Sequence, residues 1–424
     1  MHKYNAISLA RMPIVEARGV EARSSRLLQT MRGLSIALFL FLLLHFESIS
    51  ISGLKVAHLW KVGFALILLT YILLSSRGVI KLQCFLPLIL LVFIQPLNYE
   101  WFLNPIGFLG VLAQMLLFPV VGIFLASLPS RVLRKVLVFI PFFIVLSFVP
   151  YELGFLKSLG KELDMGAYGA AEVFSNVGLF ATPHSASSAL AFSFLILMYL
   201  WVAKVCSRFL VSLVLVLCLY FLLSTYVRTG LAMALVGALF FIWRLMNSDP
   251  KRFFRTVSLV LVVGLLSGSW VTNNQVLMDR ILGQRLHNSE DSFERLGSGR
   301  GRLILASYDI YMKSNTFEKV FGLGDTEQKA RMNREIGLSL VPHNGFLYLL
   351  LTNGILGLSL FLWFIWKVWK YFGRLGGIHQ TLAASSLAAY LVLSFLQNFN
   401  LVYSFVIFLV IAAYSIRIEY EPIS

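Results

Sequence analysis

Residues 342–370 read PHNGFLYLLLTNGILGLSLFLWFIWKVWK, and this stretch decides the fold. A helix needs about 20 apolar residues to cross the hydrocarbon core of a bilayer, and between His343 and Lys367 no charged residue interrupts the run. The rest of the chain has the same character. Mean hydropathy is +0.80, with 58% hydrophobic and 13% charged residues, which leaves too little polar surface for a water-soluble particle. The expectation is an all-α polytopic membrane protein.

Measured by that length, twelve spans fall near 30–49, 58–75, 82–98, 104–127, 132–150, 183–203, 208–224, 229–245, 254–271, 344–371, 379–397 and 399–416. Pro87, Pro119 and Pro141 lie inside spans, where neighbouring helices can satisfy the freed backbone groups. Cys84, Cys206 and Cys218 sit in apolar segments without CxxC or Cys/His spacing, which argues against disulfides and structural zinc. With no internal repeat or low-complexity linker, the chain reads as one integral domain. Its parts are a basic tail (1–29), nine spans (30–271), a large loop (272–342) and three final spans with a short tail (343–424).

Lys and Arg are retained on the cytoplasmic side of a membrane. With the N-terminus inside, the inner segments carry the whole formal net charge of +16, and the outer segments hold as many acids as bases. That asymmetry predicts both termini in the cytoplasm and removes nucleic acid as a partner. The basic tail resembles a secretory signal but is long and lacks a small-residue cleavage site, so an uncleaved first helix is expected, with Met31 as an alternative start. A loop as long as 272–342 is usually functional or disordered. Leu303, Ile304, Tyr308 and Tyr311 are spaced for one apolar helix face, so a folded lid is expected.

Chemistry is sought in the polar island from Ser298 to Gly357, with Arg228 nearby. Arg228, in STYVRTGLAMALVG, stands at the outer mouth of the eighth span with no acid within twenty positions; the plain alternative is snorkelling to headgroups. Arg300 and Arg302 follow a Gly-Ser-Gly turn where a helix begins, and helix N-H groups add to an anion-attracting site. The planar guanidinium fork matches phosphate oxygens, so a diphosphate is the natural guest. Either arginine could instead pair with Glu290, Asp291, Glu294 or Asp309.

His343, between Pro342 and Asn344, has an ordinary pKa near neutrality. It can accept a proton from a hydroxyl, provided local cations do not keep it protonated. His184, in ATPHSASS, could cap the sixth span, and Tyr226, Tyr308 and Asp309 could support the site or merely pack. No metal-nucleotide DxD pair, Walker A sequence or HExxH pair occurs, so neither a metal nor a cofactor is expected. FGLGD (Phe321 to Asp325) lacks a dinucleotide fingerprint's third glycine and strand context, and reads as a turn.

YVRTGLA at an outer helix mouth, SGRGRL and GLG in a large outer loop, and then HNGFLYLLLTNGILG resemble, in that order, the O-antigen ligase/polymerase superfamily. His343-Asn344, nine residues, Gly354, two residues and Gly357 reproduce the HN-x9-GxxG pattern of its ligases. The resemblance implies a GT-C-like, metal-independent, inverting glycosyltransferase of the bacterial inner membrane, working at the periplasmic face. Its donor would be an undecaprenyl-diphosphate-linked oligosaccharide. It further implies that Arg228 and Arg300 hold the diphosphate, that His343 activates the acceptor hydroxyl and that Asn344 supports it. Arg302 is the alternative to Arg300, because the aromatic residue the family carries a few positions later is absent.

Two acceptors fit that resemblance. The preferred one is the next lipid-linked repeat unit, making the chain a polysaccharide polymerase with a chain-length regulator as a further partner; ISGLKVAHLWK after the first span favours it. The HN-x9-GxxG spacing favours the alternative, a ligase acting on lipid A-core. A flippase or secondary transporter is the competing class, but such proteins place ionisable groups at mid-membrane and show repeats in their two halves.

Overall fold

The computed structural model describes residues 82–157, 174–278, 300–397 and 402–420 apart from Tyr99 and Gln275, together with Gln29, Gly33, 50–51, 54–55, 63–70 and Ile72. The first expected span lies outside the described residues but for Gly33, and the second is helical over the part described, 63–70. Ser50–Ile51 and Leu54–Lys55 form a two-residue antiparallel pairing, β1 and β2. Everything else regular among the described residues is helical.

The helices are α1 (Leu82–Ile94), α2 (Glu100–Leu103), α3 (Pro105–Ser127), α4 (Ser130–Ser147), α5 (Val149–Glu152), α6 (Pro183–Ala203), α7 (Arg208–Ser224) and α8 (Arg228–Ser248). They continue as α9 (Pro250–Asn273), α10 (Arg300–Lys313), α11 (Thr316–Phe321), α12 (Asp325–Ile336), α13 (Gly345–Gly373), α14 (Gly377–Leu396) and α15 (Val402–Tyr420). Among the described residues, six helices are long and apolar enough to cross a membrane: α3, α4 running on into α5, α6, α8, α13 and α14. Shorter apolar helices coincide with α1, α7 and α15.

α6 is the central strut, buried along nearly its whole length, as expected of a helix apolar all round. Its serines serve close packing. Ser187 and Ser193 return their hydroxyls to their own helix, at His184 O (3.1 Å) and Ala189 O (2.8 Å), so neighbours can approach without meeting an unsatisfied polar group. Gly230 of α8 lies so close that a Cβ there would stand 2.5 Å from Ser187 Cβ.

Directions follow from such contacts. Gly230 meets Ser187 and Gly237 meets Leu195, so α6 and α8 run parallel. α14 runs against them, because His379 near its start bonds Tyr199 late in α6 (3.0 Å), while Gln397 after its end reaches His184 at the start of α6. α15 is parallel to α6, through Ser188–Ser404 and Tyr199–Tyr414. The starts of α6 and α8 therefore gather with the end of α14. At about 1.5 Å per residue, the opposite end of α6 is roughly 30 Å away, the thickness of a bilayer core.

The described part of the long loop is folded, as expected, but its apolar face differs. Leu303, Ala306 and Ile310 are buried with Leu323, Met332 and Leu351, while Tyr308 is 54% exposed. The i, i+3, i+7 row points inward, and Tyr308 lies off it. Helices shorter than about 12–15 residues are marginal alone, so α10 to α12 depend on this cluster, where each fully buried large side chain contributes about 1.5–3 kcal/mol.

The loop is fastened to α13 at a break in that helix. Gly354 has φ +65° inside α13, which takes the Leu351 and Thr352 carbonyls out of the helical ladder. Leu323 N-H donates to Leu351 O (2.8 Å) and Gly324 N-H to Thr352 O (3.1 Å), and the Asn98 amide adds a bond to Thr352 O (3.3 Å). GLG is thus a turn, as its sequence suggests, and its backbone also satisfies the interrupted helix. A Cβ on Gly322 would fall 2.2 Å from Thr352 O, and one on Gly354 the same distance from Val320 O.

Candidate active site

Asn344 is the N-cap of α13, its Oδ1 accepting from the N-H groups of Phe346 and Leu347 at 3.0 Å each. An Asn cap is worth about 1 kcal/mol, and here it fixes the residue before it. His343 is half-buried, and its Nδ1 lies 3.2 Å from Gln397 Oε1. On the other side of the same amide, Gln397 Nε2 lies 2.8 Å from His184 Nδ1. One glutamine thus bridges two imidazoles.

The bridge fixes both tautomers. An amide oxygen only accepts and an amide nitrogen only donates, so His343 carries its proton on Nδ1 and presents Nε2 as an acceptor. His184 accepts at Nδ1 and carries its proton on Nε2. His184 does not cap the sixth span. Thr182 does so by accepting from Ser185 N-H (3.2 Å), and Pro183 takes the first helical position, which leaves the imidazole to face Gln397.

Arg300 is the first residue of α10, half-buried, and its Nη1 donates to the Leu396 carbonyl at 2.9 Å. Leu396 is the last residue of α14 and Gln397 its C-cap, so Arg300 sits on the negative end of one helix beside the amide that orients His343. Burial pushes the His343 pKa below its ordinary 6.5; the bond to Gln397 partly opposes this, and the Arg300 charge adds to the lowering. The sequence-based concern that cations would keep His343 protonated is therefore reversed. A neighbouring guanidinium disfavours a second positive charge, so both burial and Arg300 favour the neutral imidazole.

Arg228 begins α8, half-buried, after Tyr226 with φ +55°. The Gly230–Ser187 contact lays its helical turn against the first turn of α6, which carries His184. Arg302, two residues into α10, is exposed. Of the suggested supporting groups, Tyr226 is buried and receives a bond from Asn274 Nδ2 (3.4 Å), whereas Tyr308 and Asp309 are exposed on the loop helix. Glu290, Asp291 and Glu294 lie outside the described residues. The structure brings together His343, Gln397, His184 and Arg300, and sets the Arg228 turn against the helix that carries His184.

Fold and cluster define an integral membrane protein with a basic, imidazole-bearing site at the ends of its helices. Residues 213–362 match the model of the O-antigen ligase family (Wzy_C), which supports the similarity to the O-antigen ligase/polymerase superfamily. Proteins of that family are generally glycosyltransferase-like and act on lipid-linked glycans and their acceptors in membranes. The matched stretch contains Arg228, Arg300, Arg302, His343 and Asn344; His184 precedes it and Gln397 follows it. No curated protein matches the chain.

Proposed function

We propose that the chain is a metal-independent, inverting glycosyltransferase that moves a glycan from an undecaprenyl-diphosphate carrier to the hydroxyl of an acceptor. The observation carrying this reading is the Gln397 bridge, which accepts a hydrogen bond from the Nδ1 proton of His343 and leaves Nε2 as the nitrogen that can accept a proton. The hydroxyl loses its proton to His343 as its oxygen attacks the sugar C1. The C1–O bond to the carrier breaks on the opposite face, and its electron pair leaves with the diphosphate. Arg300 and Arg228 stabilise the charge that grows there, and fixed donors of this kind carry much of such a barrier. His184 is added to the residues expected from sequence, as a group that orients Gln397.

The basic residues Arg131, Arg134, Lys135, Lys204 and Arg208 flank the far ends of the helices. By the retention of Lys and Arg in the cytoplasm, this supports a bacterial inner membrane location with the site facing the periplasm. There the carrier's polyprenyl tail can stay among the spans while the glycan extends toward the loop. The preferred acceptor is the next lipid-linked repeat unit. The HN-x9-GxxG spacing and the description of the matched family favour the second reading, transfer to lipid A-core.

Deletion of the gene separates the two. Lipopolysaccharide with a core bearing a single repeat unit identifies the polymerase, and bare core with accumulating lipid-linked chains identifies the ligase. Unchanged lipopolysaccharide and surface glycan would remove both.

A further inference from the structure

At the end of the bundle opposite His343 lies a groove of about 760 Å³ lined by Arg131, Arg134, Lys135, Val138, Phe139, Phe142, Val205 and Cys206. Its composition is divided. Three cations crowd one part, within the first six residues of α4, and the remaining walls are apolar. Among the described residues no carboxylate lines it, and none of the three cations makes an ion pair. α4 also has no acid in its first turn, so the cations stand at the helix end where positive charge is least favoured. Arg208, two residues beyond Cys206, adds a further cation near the rim, its guanidinium 5.1 Å from the Trp201 ring.

Positive charge alone would follow from topology. The apolar walls do not. Phe139 is 42% exposed beside the cations, and phenylalanine faces continuing from a triple cation along a membrane-spanning helix match a molecule with an anionic head and a hydrocarbon body. We infer that this groove is a binding site for an anionic phospholipid, the phosphate on Arg131, Arg134 and Lys135 and an acyl chain along Phe139 and Phe142. Arg134 ties the site to the bundle: it lies within electrostatic reach of Tyr199, His379 and Tyr414, which hydrogen-bond one another across α6, α14 and α15 (3.0 Å each). A bound phosphate would thereby bear on α6 and α14, whose other ends carry His184 and Gln397. Basic pockets between spans on the cytoplasmic side are a recurrent setting for such lipids.

The test uses the full-length protein, purified, stripped of lipid and placed in phosphatidylcholine nanodiscs with or without phosphatidylglycerol. Native mass spectrometry should show phosphatidylglycerol retained in preference to phosphatidylcholine, and the thermal midpoint should rise when it is present. Each neutralised cation should weaken retention about fivefold, so Arg131→Gln and Lys135→Gln, both at exposed positions, should do so singly without unfolding the chain. Phe139→Ala should weaken it with every charge in place. Equal retention of both lipids by the wild-type protein would overturn the proposal, as would variants retaining phosphatidylglycerol like the wild type. Inorganic phosphate or glycerol phosphate reproducing the thermal shift would also overturn it, by identifying a plain anion site.

Discussion

The Nδ1 of His343 lies 3.2 Å from the Oε1 of Gln397, 54 positions further along the chain. Because that oxygen can only accept, the imidazole must donate to it, and its second nitrogen is left as the basic one. The proposed proton acceptor is thus set by a residue just past the end of another helix, which the Arg300 bond to Leu396 O helps to hold.

Replacing that amide by a carboxylate should move the pH dependence of transfer. In the wild-type protein the His343 pKa lies below 6.5, so the base is available at neutral pH and the rate falls only as pH drops through that lower value. Gln397→Glu places a negative charge against the Nδ1 proton and favours the imidazolium, raising the pKa by about one unit or more. The acid limb of kcat/KM against pH should shift upward accordingly. An unmoved limb would mean that His343 is not the titrating base.

The two loop arginines should separate cleanly. Arg300→Ala removes a half-buried guanidinium beside His343 and should lower the transfer rate by about 100- to 1,000-fold, the usual loss for a group stabilising growing negative charge. Arg302 is exposed, and Arg302→Ala should stay within about twofold. Steady-state transfer from a purified polyprenyl-diphosphate glycan measures both. The reverse ranking would move the diphosphate contact to Arg302.

Hydropathy alone is enough to read α3, α4, α6, α8, α13 and α14, since a run of apolar residues of bilayer length has few other uses. Arg228, Arg300 and His343 stand out because they are polar groups at the edges of apolar runs. Gln397 and His184 also border apolar runs, but nothing in the sequence pairs them. Each sits in an unremarkable local sequence, and their contact joins positions 213 apart, a relation that no local spacing encodes. The glycines of GLG and TNG are visible as turn signals, but that each closes against the backbone of the other depends on how the loop docks. Tyr308 falls on the wrong face because a helix row can be drawn through either side, and only packing against Met332 and Leu351 selects Leu303 and Ile310.

Gly354→Ala should loosen the loop without touching the imidazoles. A non-glycine residue at φ +65° costs about 1–3 kcal/mol, and the added Cβ would meet Val320 O at 2.2 Å, so a loss above about 2 kcal/mol is expected. Limited proteolysis should then cut within 314–324 at protease concentrations that leave the wild-type protein intact. Gly373→Ala is the control: nothing lies within 4 Å of its Cβ, and it should behave as wild type.

The loop's own ion cluster should give it an acid-sensitive stability. Arg331 holds Glu318 through two nitrogens, Nη1 to Oε2 (3.1 Å) and Nη2 to Oε1 (2.6 Å), and reaches Glu327 through Nε (2.8 Å). Burial raises the Glu318 pKa, but the bonds from Arg331 and the Asn315 backbone outweigh it and leave the carboxyl below its ordinary 4.5. A depressed carboxylate stabilises the fold above its unfolded pKa and loses that contribution as pH falls through the folded value. Glu318→Gln should therefore destabilise the loop at pH 7, by about 1–2 kcal/mol, since the Arg331 side chain is still 23% exposed and solvent screens the pair. The gap from wild type should narrow as pH drops below 4.5, measured as loop protection from hydrogen exchange in detergent. A gap that stayed constant with pH would assign the loss to the broken capping box at Asn315, which the same substitution perturbs.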